Sequence, residues 1–181
     1  VQPPADPSVV DWASVTSAIS GCERVVINIL SYTKPALALA QNANKPVWTD
    51  LHDYDGRNPH HQPFIDAANV IFLSSDNLPD YRSFMKKMID DGKELVVCTH
   101  GSDGATLLSR DGQWLEQPAF PVGQVQDTNG AGDAFFSGFL CGHLNGENLK
   151  TCLRLGAVCG ALCVPSQSLA AENLSLQRVH D

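Results

Sequence analysis

The run Asp127-Thr128-Asn129-Gly130-Ala131-Gly132-Asp133-Ala134-Phe135 carries the clearest chemical statement in the chain. Gly130 and Gly132 leave room for backbone to approach a ligand, and the apolar stretch from Ala134 to Leu140 reads as a helix beginning at about Ala131. A helix that starts there presents N–H groups with no intrahelical acceptor. The helix dipole adds roughly half a positive charge at the same end, so an anion is favoured, phosphate above all. Asp133 falls in the first turn, beside that anion site, where a carboxylate can take a proton from an attacking hydroxyl. Taken singly, each residue has a duller use, as a packing glycine or a dipole-complementing Asp. Their conjunction describes phosphoryl transfer.

A second turn has the same character. Thr99-His100-Gly101-Ser102-Asp103-Gly104 is a T-x-G-x-x-G at a strand end, where a hydroxyl and glycine-flanked amides can meet the phosphates of a nucleotide. Alone it reads equally well as a turn between two strands. The chain has no G-x-x-x-x-G-K-[ST] and no G-x-G-x-x-G, which removes the other common phosphate-binding designs.

Other polar clusters have plainer readings. Asp53-x-Asp55-Gly56-x-Asn58 has oxygen ligands at calcium-loop spacing but no later Glu, so a solvated loop is expected. His60 and His61 are adjacent and would not face the same way in regular structure, so no metal is assigned to them. The six cysteines form no C-x-x-C pair, and several lie in apolar runs, which reads as reduced thiols in a cytoplasmic protein. Net charge is −8, with 12 Lys and Arg against 20 Asp and Glu, so neither nucleic acid nor an anionic membrane is an expected partner. Any phosphate site must then be local and built from backbone amides. No apolar segment is long enough to span a membrane, and the N-terminal residues do not read as an export signal.

The elements that position these turns alternate. Asp6-Pro7 followed by Ser8 to Ser20 and Gly21 predicts a capped helix, and Val25 to Leu30 a buried strand. A helix over Pro35 to Ala43, a strand over Val47 to Asp50, a polar loop, a short helix near Phe64 to Ala68 and a strand over Val70 to Leu73 follow. Pro79 to Asp91 is the clearest helix, because Tyr81, Phe84, Met85, Met88 and Ile89 recur at helical spacing. Leu95 to Thr99 reads as a strand, and Ala105 to Ser109 pairs with Gln113 to Gln117 across Arg110-Asp111-Gly112. A strand over Val122 to Gln126 leads into the main motif, and a Gly- and Ala-rich helix covers Leu149 to Cys163. With 181 residues and 43% hydrophobic content, the expectation is one α/β domain, a mostly parallel sheet with helices on both faces. Ligands in such a fold bind outside the carboxyl ends of the strands.

The Asp127-to-Phe135 motif closely resembles the C-terminal signature of the ribokinase-like, or phosphofructokinase-B type, carbohydrate kinases, and the Thr99 turn precedes it in the order that family uses. The resemblance implies a ribokinase-like fold and transfer from ATP, with Mg²⁺, to a hydroxyl of a sugar or nucleoside. It implies that Gly130, Ala131 and Gly132 form the anion hole and that Asp133 is the base. Thr99, Gly101, Gly104, Thr128 and Asn129 would lie on the nucleotide. Asp50-Leu51-His52 stands where the family often carries an Asp near the cleft, a supporting position.

Three departures qualify the match. Ser74-Ser75-Asp76-Asn77 stands where the family shows Asn-x-x-Glu, so Asp76 or Asp80 would have to substitute and no metal ligand is assigned. Val164-Pro165-Ser166-Gln167-Ser168 replaces a Gly-Ala near a monovalent-cation site, which leaves K⁺ an open alternative. The resemblance covers only the C-terminal part of a family member, without further strands, a β lid and most sugar-binding residues. The expectation is either a portion of a longer protein or a half that must pair with something, a second copy as a homodimer among the options, since an exposed strand edge there would be prone to association. The rival readings are a vitamin-precursor kinase of the same fold and a non-catalytic nucleotide-binding or scaffold protein.

Overall fold

Apolar runs separated by helix caps fold, in the computed structural model, into six strands and six helices, described for residues 9–123 and 125–166. In chain order these are α1 (Trp12–Gly21), β1 (Val25–Val26), α2 (Lys34–Asn42), β2 (Val47–Asp50), α3 (Gln62–Ala67), β3 (Val70–Ser74) and α4 (Tyr81–Asp90). Then come β4 (Leu95–Thr99), β5 (Ala105–Ser109), β6 (Trp114–Gln117), α5 (Ala131–Leu144) and α6 (Leu149–Cys163). The strands are hydrogen-bonded in the order β1-β2-β3-β4-β5-β6. β1 and β3 both run parallel to β2, with Val26 opposite Trp48 and Trp48 opposite Val70. A helix connects each strand from β1 to β4, whereas residues 100–104 and 110–113 join β4 to β5 and β5 to β6. Those connections are too short for a parallel crossover, so the sheet is mixed. No helix among the described residues is long and apolar enough to cross a membrane.

Three expected elements differ. The first helix starts at Trp12, because the Asp11 carboxylate accepts the Ala13 and Ser14 amides at 3.1 and 3.2 Å and caps it there. Asp6, Pro7 and Ser8 lie outside the described residues. The strand expected over Val25 to Leu30 stops at Val26: Ile27 still donates to the Trp48 carbonyl, but the Asn28 carbonyl turns to accept the Thr33 hydroxyl at 2.6 Å. The strand expected over Val122 to Gln126 is not formed by its described residues. The Gln126 amide goes to the Val164 carbonyl instead of to a ladder.

The chain divides into two compact units, Val1–Val97 with Leu108–Gly112, and Cys98–Leu107 with Gln113–Asp181. In the first, Trp48 stacks on Phe72, ring centroids 5.9 Å apart, and Phe64, Met85, Leu51 and Ile71 are fully buried. Asn69 stitches this layer together: its side chain accepts the Val47 amide at 2.9 Å, and its carbonyl accepts the Glu94 amide at 2.7 Å. In the second unit α5 and α6 pack along their length.

The polar loop of the first unit is tied internally. Asp55 accepts the Arg57 and Asn58 amides, which hold its carboxyl below the usual range, and Asn77 donates to Asp53. Asp80 caps α4 by accepting the Ser83 amide. Asp50 accepts the His52 amide at 2.8 Å and shapes that turn, in which His52 has a positive φ of 52°.

His61 is 7% exposed, packs against Tyr54 at 4.9 Å, and has no hydrogen-bond partner at either ring nitrogen among the described residues. Burial, then neighbouring His60, holds its pKa below the ordinary value, outweighing the pull of Asp55 and Asp53. The folded state therefore takes up the His61 proton at a lower pH than the unfolded chain, which takes it up at about pH 6.5. Its contribution to stability is complete above that pH and is lost as the pH falls below it toward the folded-state value. Urea unfolding between pH 7.5 and 5 is expected to show a falling midpoint, and His61→Phe to flatten that dependence; an equally steep fall in the variant would refute the assignment.

Candidate active site

Gly130 sets the geometry of the main motif. It is the residue before α5 and adopts φ 79°, ψ −5°, a left-handed conformation that an L side chain resists. A left-handed residue followed by right-handed ones turns successive N–H groups to one side, a concavity suited to an anion. No side chain caps the helix. The Ala131 amide is spent on the Thr128 carbonyl at 3.2 Å, and the Ala134 amide reaches the Gly130 carbonyl at 2.8 Å. The Gly130, Gly132 and Asp133 amides have no acceptor among the described residues. Of the three amides expected to form an anion hole, those of Gly130 and Gly132 are open and that of Ala131 closes the turn, while the Asp133 amide is a further open one.

Asp133 is exposed, in the first turn of the helix, with its carboxylate outside any hydrogen bond among the described residues. Its backbone carbonyl accepts the Ser137 hydroxyl at 2.8 Å. Asp127 has the opposite fate. Its two carboxylate oxygens accept the Asn129 amide at 2.9 Å and the Asn129 side chain at 3.3 Å, so it folds the loop and also occupies Asn129. Thr128 is exposed and contributes its carbonyl to the same turn.

The turn between β4 and β5 lies in the same compact unit. His100 donates its amide to the Gly104 carbonyl at 2.8 Å, and the Asp103 and Gly104 amides close a 3-10 turn over Gly101–Asp103. This leaves the exposed Gly101 and Ser102 amides without acceptors among the described residues. Gly104 is fixed by its packing. Its amide is engaged, its φ is 100°, and a Cβ there would come 2.0 Å from the Gln117 carbonyl, so it is glycine for packing under the end of β6. The His100 ring, which sequence reading passed over, fixes this turn through a 2.9 Å bond between Nε2 and the Thr106 hydroxyl.

What holds the α5 start is also invisible as a motif. A Cβ at Gly138 would lie 2.7 Å from the Leu155 carbonyl, and one at Gly156 2.9 Å from the Phe135 carbonyl, so the two helices approach backbone to backbone. Cys152, Cys159 and Cys163 are buried along α6, and burial is the first cause raising each thiol above its usual range. The carboxylates of Asp127 and Asp133 add to the effect at Cys163. None of the six cysteines is in a disulfide among the described residues. No group of three or more His, Cys, Asp or Glu among the described residues could hold a metal.

With this geometry in view, the comparisons with known proteins agree on one family. The profile of the pfkB family carbohydrate kinases matches residues 66–175. The chain is 46% identical over 118 residues to the acarbose 7(IV)-phosphotransferase of an Actinoplanes species, covering 64% of this chain and 40% of that protein. It is 29% identical over 106 residues to a nucleoside kinase of Methanocaldococcus jannaschii, covering 57% of this chain and 35% of that one. Among solved structures it superposes on the microbiome-derived acarbose kinase Mak1 with a TM-score of 0.83 and 28% identity, over 99% of this chain and 60% of that one. It also shares the fold of Arabidopsis thaliana ribokinase solved with ribose and ATP, at a TM-score of 0.75 and 19% identity, over 94% and 58% of the two chains. The fold is therefore ribokinase-like. The chain spans well under two thirds of the length of these relatives.

Gly104→Ala is expected to lower unfolding free energy by about 3 kcal/mol, the sum of a left-handed backbone and an overlap that rigid backbone cannot relieve. Denaturant titration measures it. A loss under about 1 kcal/mol would mean the β4–β5 turn is not seated as described.

Proposed function

The chain belongs to the pfkB family of carbohydrate kinases, and on that premise we propose that it carries the phosphoryl-transfer site of a kinase acting on a hydroxyl of a sugar or nucleoside. The observation that carries this reading is the left-handed Gly130 opening α5, with unspent amides at Gly132 and Asp133 beside the exposed Asp133 carboxylate. Phosphoryl transfer needs little covalent chemistry from the protein; it needs the transferring group held and its charge offset as it spreads over the equatorial oxygens. Open amides at the positive end of a helix supply both, and they do so without a cationic surface, in keeping with a net charge of −8.

Asp133 acts in this reading as the base that accepts the proton of the attacking hydroxyl, while Gly130, Gly132 and the Asp133 amide hold the phosphoryl oxygens. The Gly101 and Ser102 amides, with the Thr99 hydroxyl, serve the nucleotide. Thr128 and Asn129 support the loop. Magnesium would supply charge neutralisation on the ATP phosphates and would be held mostly by those phosphates and water, as is usual for this ion, so the absence of a carboxylate cage among the described residues is compatible with it. A K⁺ site at the end of α6 is not part of the reading, because the Val164 carbonyl already accepts two amides, from Gln126 and Asp127. The relatives' names suggest the acceptors to try first, acarbose and nucleosides.

In the full-length protein, Asp133→Asn is expected to reduce turnover by about two to four orders of magnitude while ATP affinity stays within a few-fold, the effect of losing a positioned base. Coupled-assay kinetics and calorimetry with ATP measure the two quantities. Turnover at the wild-type level would remove Asp133 from the chemistry.

A further inference from the structure

The last turn of α6 converges on the loop that precedes α5. The Val164 carbonyl accepts the Gln126 amide at 3.1 Å and the Asp127 amide at 3.2 Å. The Cys163 thiol, 1% exposed, donates to the Asn129 carbonyl at 3.8 Å. One turn earlier Gly160 faces Ala131: a Cβ at Gly160 would stand 3.2 Å from the Ala131 carbonyl, a distance at which the neighbour must give by a few tenths of an ångström. Among the described residues, the recorded bonds that tie 127–129 to a part of the chain distant in sequence all end on this turn.

We propose that the last turn of α6 sets the height of the phosphoryl-holding loop, with Gly160 and Cys163 as positioning residues for transfer; this rests on the kinase reading given above. Neither residue touches substrate. Gly160 fixes how closely the first peptide of α5 approaches α6, and so where the Gly132 and Asp133 amides point. Cys163 fixes the Asn129 carbonyl from inside, as a neutral thiol whose environment of burial and nearby carboxylates disfavours the thiolate. Displacements of a fraction of an ångström matter here because the rate depends on the alignment of attacker, phosphorus and leaving oxygen.

The placement of Gly160 makes this separable from a purely structural role. Alanine is the better helix residue, so Gly160→Ala gains in propensity what it loses in fit. Steady-state kinetics and thermal unfolding of the full-length kinase would compare wild type with Gly160→Ala, Cys163→Ala and Cys163→Ser. Gly160→Ala is expected to lower kcat by about ten- to a hundredfold, with KM for the acceptor within about threefold and a melting midpoint equal to or above wild type. Cys163→Ala should lower kcat about three- to tenfold, and Cys163→Ser should recover most of it because a hydroxyl donates to the same carbonyl. Wild-type kcat in Gly160→Ala, or losses that track only the melting midpoint, would overturn the positioning role while leaving the kinase reading intact. A wild-type protein that transfers to no acceptor would overturn both.

Discussion

Backbone-to-backbone packing of α5 against α6 is the constraint on which the candidate site depends. An N-terminal amide is useful to an anion only if the helix carrying it cannot move, and a helix without a side-chain cap has lost one ordinary means of anchoring its first turn. Here glycines on both helices take over. Gly138 on α5 meets the Leu155 carbonyl and Cys159, and Gly156 on α6 meets the Phe135 carbonyl, leaving no space for a Cβ at these crossings, while a Cβ at Gly142 would press on the Leu155 side chain and Cys152. Dispersion contacts at such separations are many and stiff, so the start of α5 is held along the length of the helix as well as at its end.

That arrangement explains a chemical economy. The loop from Asp127 to Gly130 spends its polar groups on itself and on the end of α6: the Asp127 carboxylate closes on Asn129 and the Ala131 amide on Thr128, while the Asp127 amide and the Asn129 carbonyl reach Val164 and Cys163. What remains unspent among the described residues is the Gly130, Gly132 and Asp133 amides and the exposed Asp133 carboxylate. The β4–β5 turn follows the same logic. Its interior bonds are satisfied by His100, Asp103 and Gly104, and the Gly101 and Ser102 amides are left outward. Both turns thus offer backbone donors rather than lysines or arginines, which suits a group whose charge changes position during reaction.

The local form of the two glycine-rich turns is legible in the sequence because its signals are local. A glycine-rich stretch before an apolar helix fixes where α5 begins, and α5 starts at Ala131 as expected. β2, β4, β5 and α6 were equally readable, being apolar runs bounded by caps and turns. The misses have a common cause. The stretch 122–126 has strand-like composition but finds its acceptor at Val164, a carbonyl whose availability no residue type announces. The packing of Gly104 against Gln117 is likewise a tertiary fact that the turn motif does not announce. Cys163 was hidden by its apolar neighbours, and the closing of the Ala131 amide turns on one bond to Thr128. The truncation of β1 at Val26 follows from where the Asn28 carbonyl turns, again a three-dimensional outcome.

The most direct test of the central claim is an amide-resolved ¹H–¹⁵N NMR titration of the protein with ADP and with β,γ-methylene ATP, both with magnesium. If the start of α5 holds the transferring phosphoryl group, the Gly132 and Asp133 amides should shift most with the triphosphate and little with ADP, since only the former places a γ-phosphate there. Saturation by the triphosphate with those two resonances unmoved would contradict it.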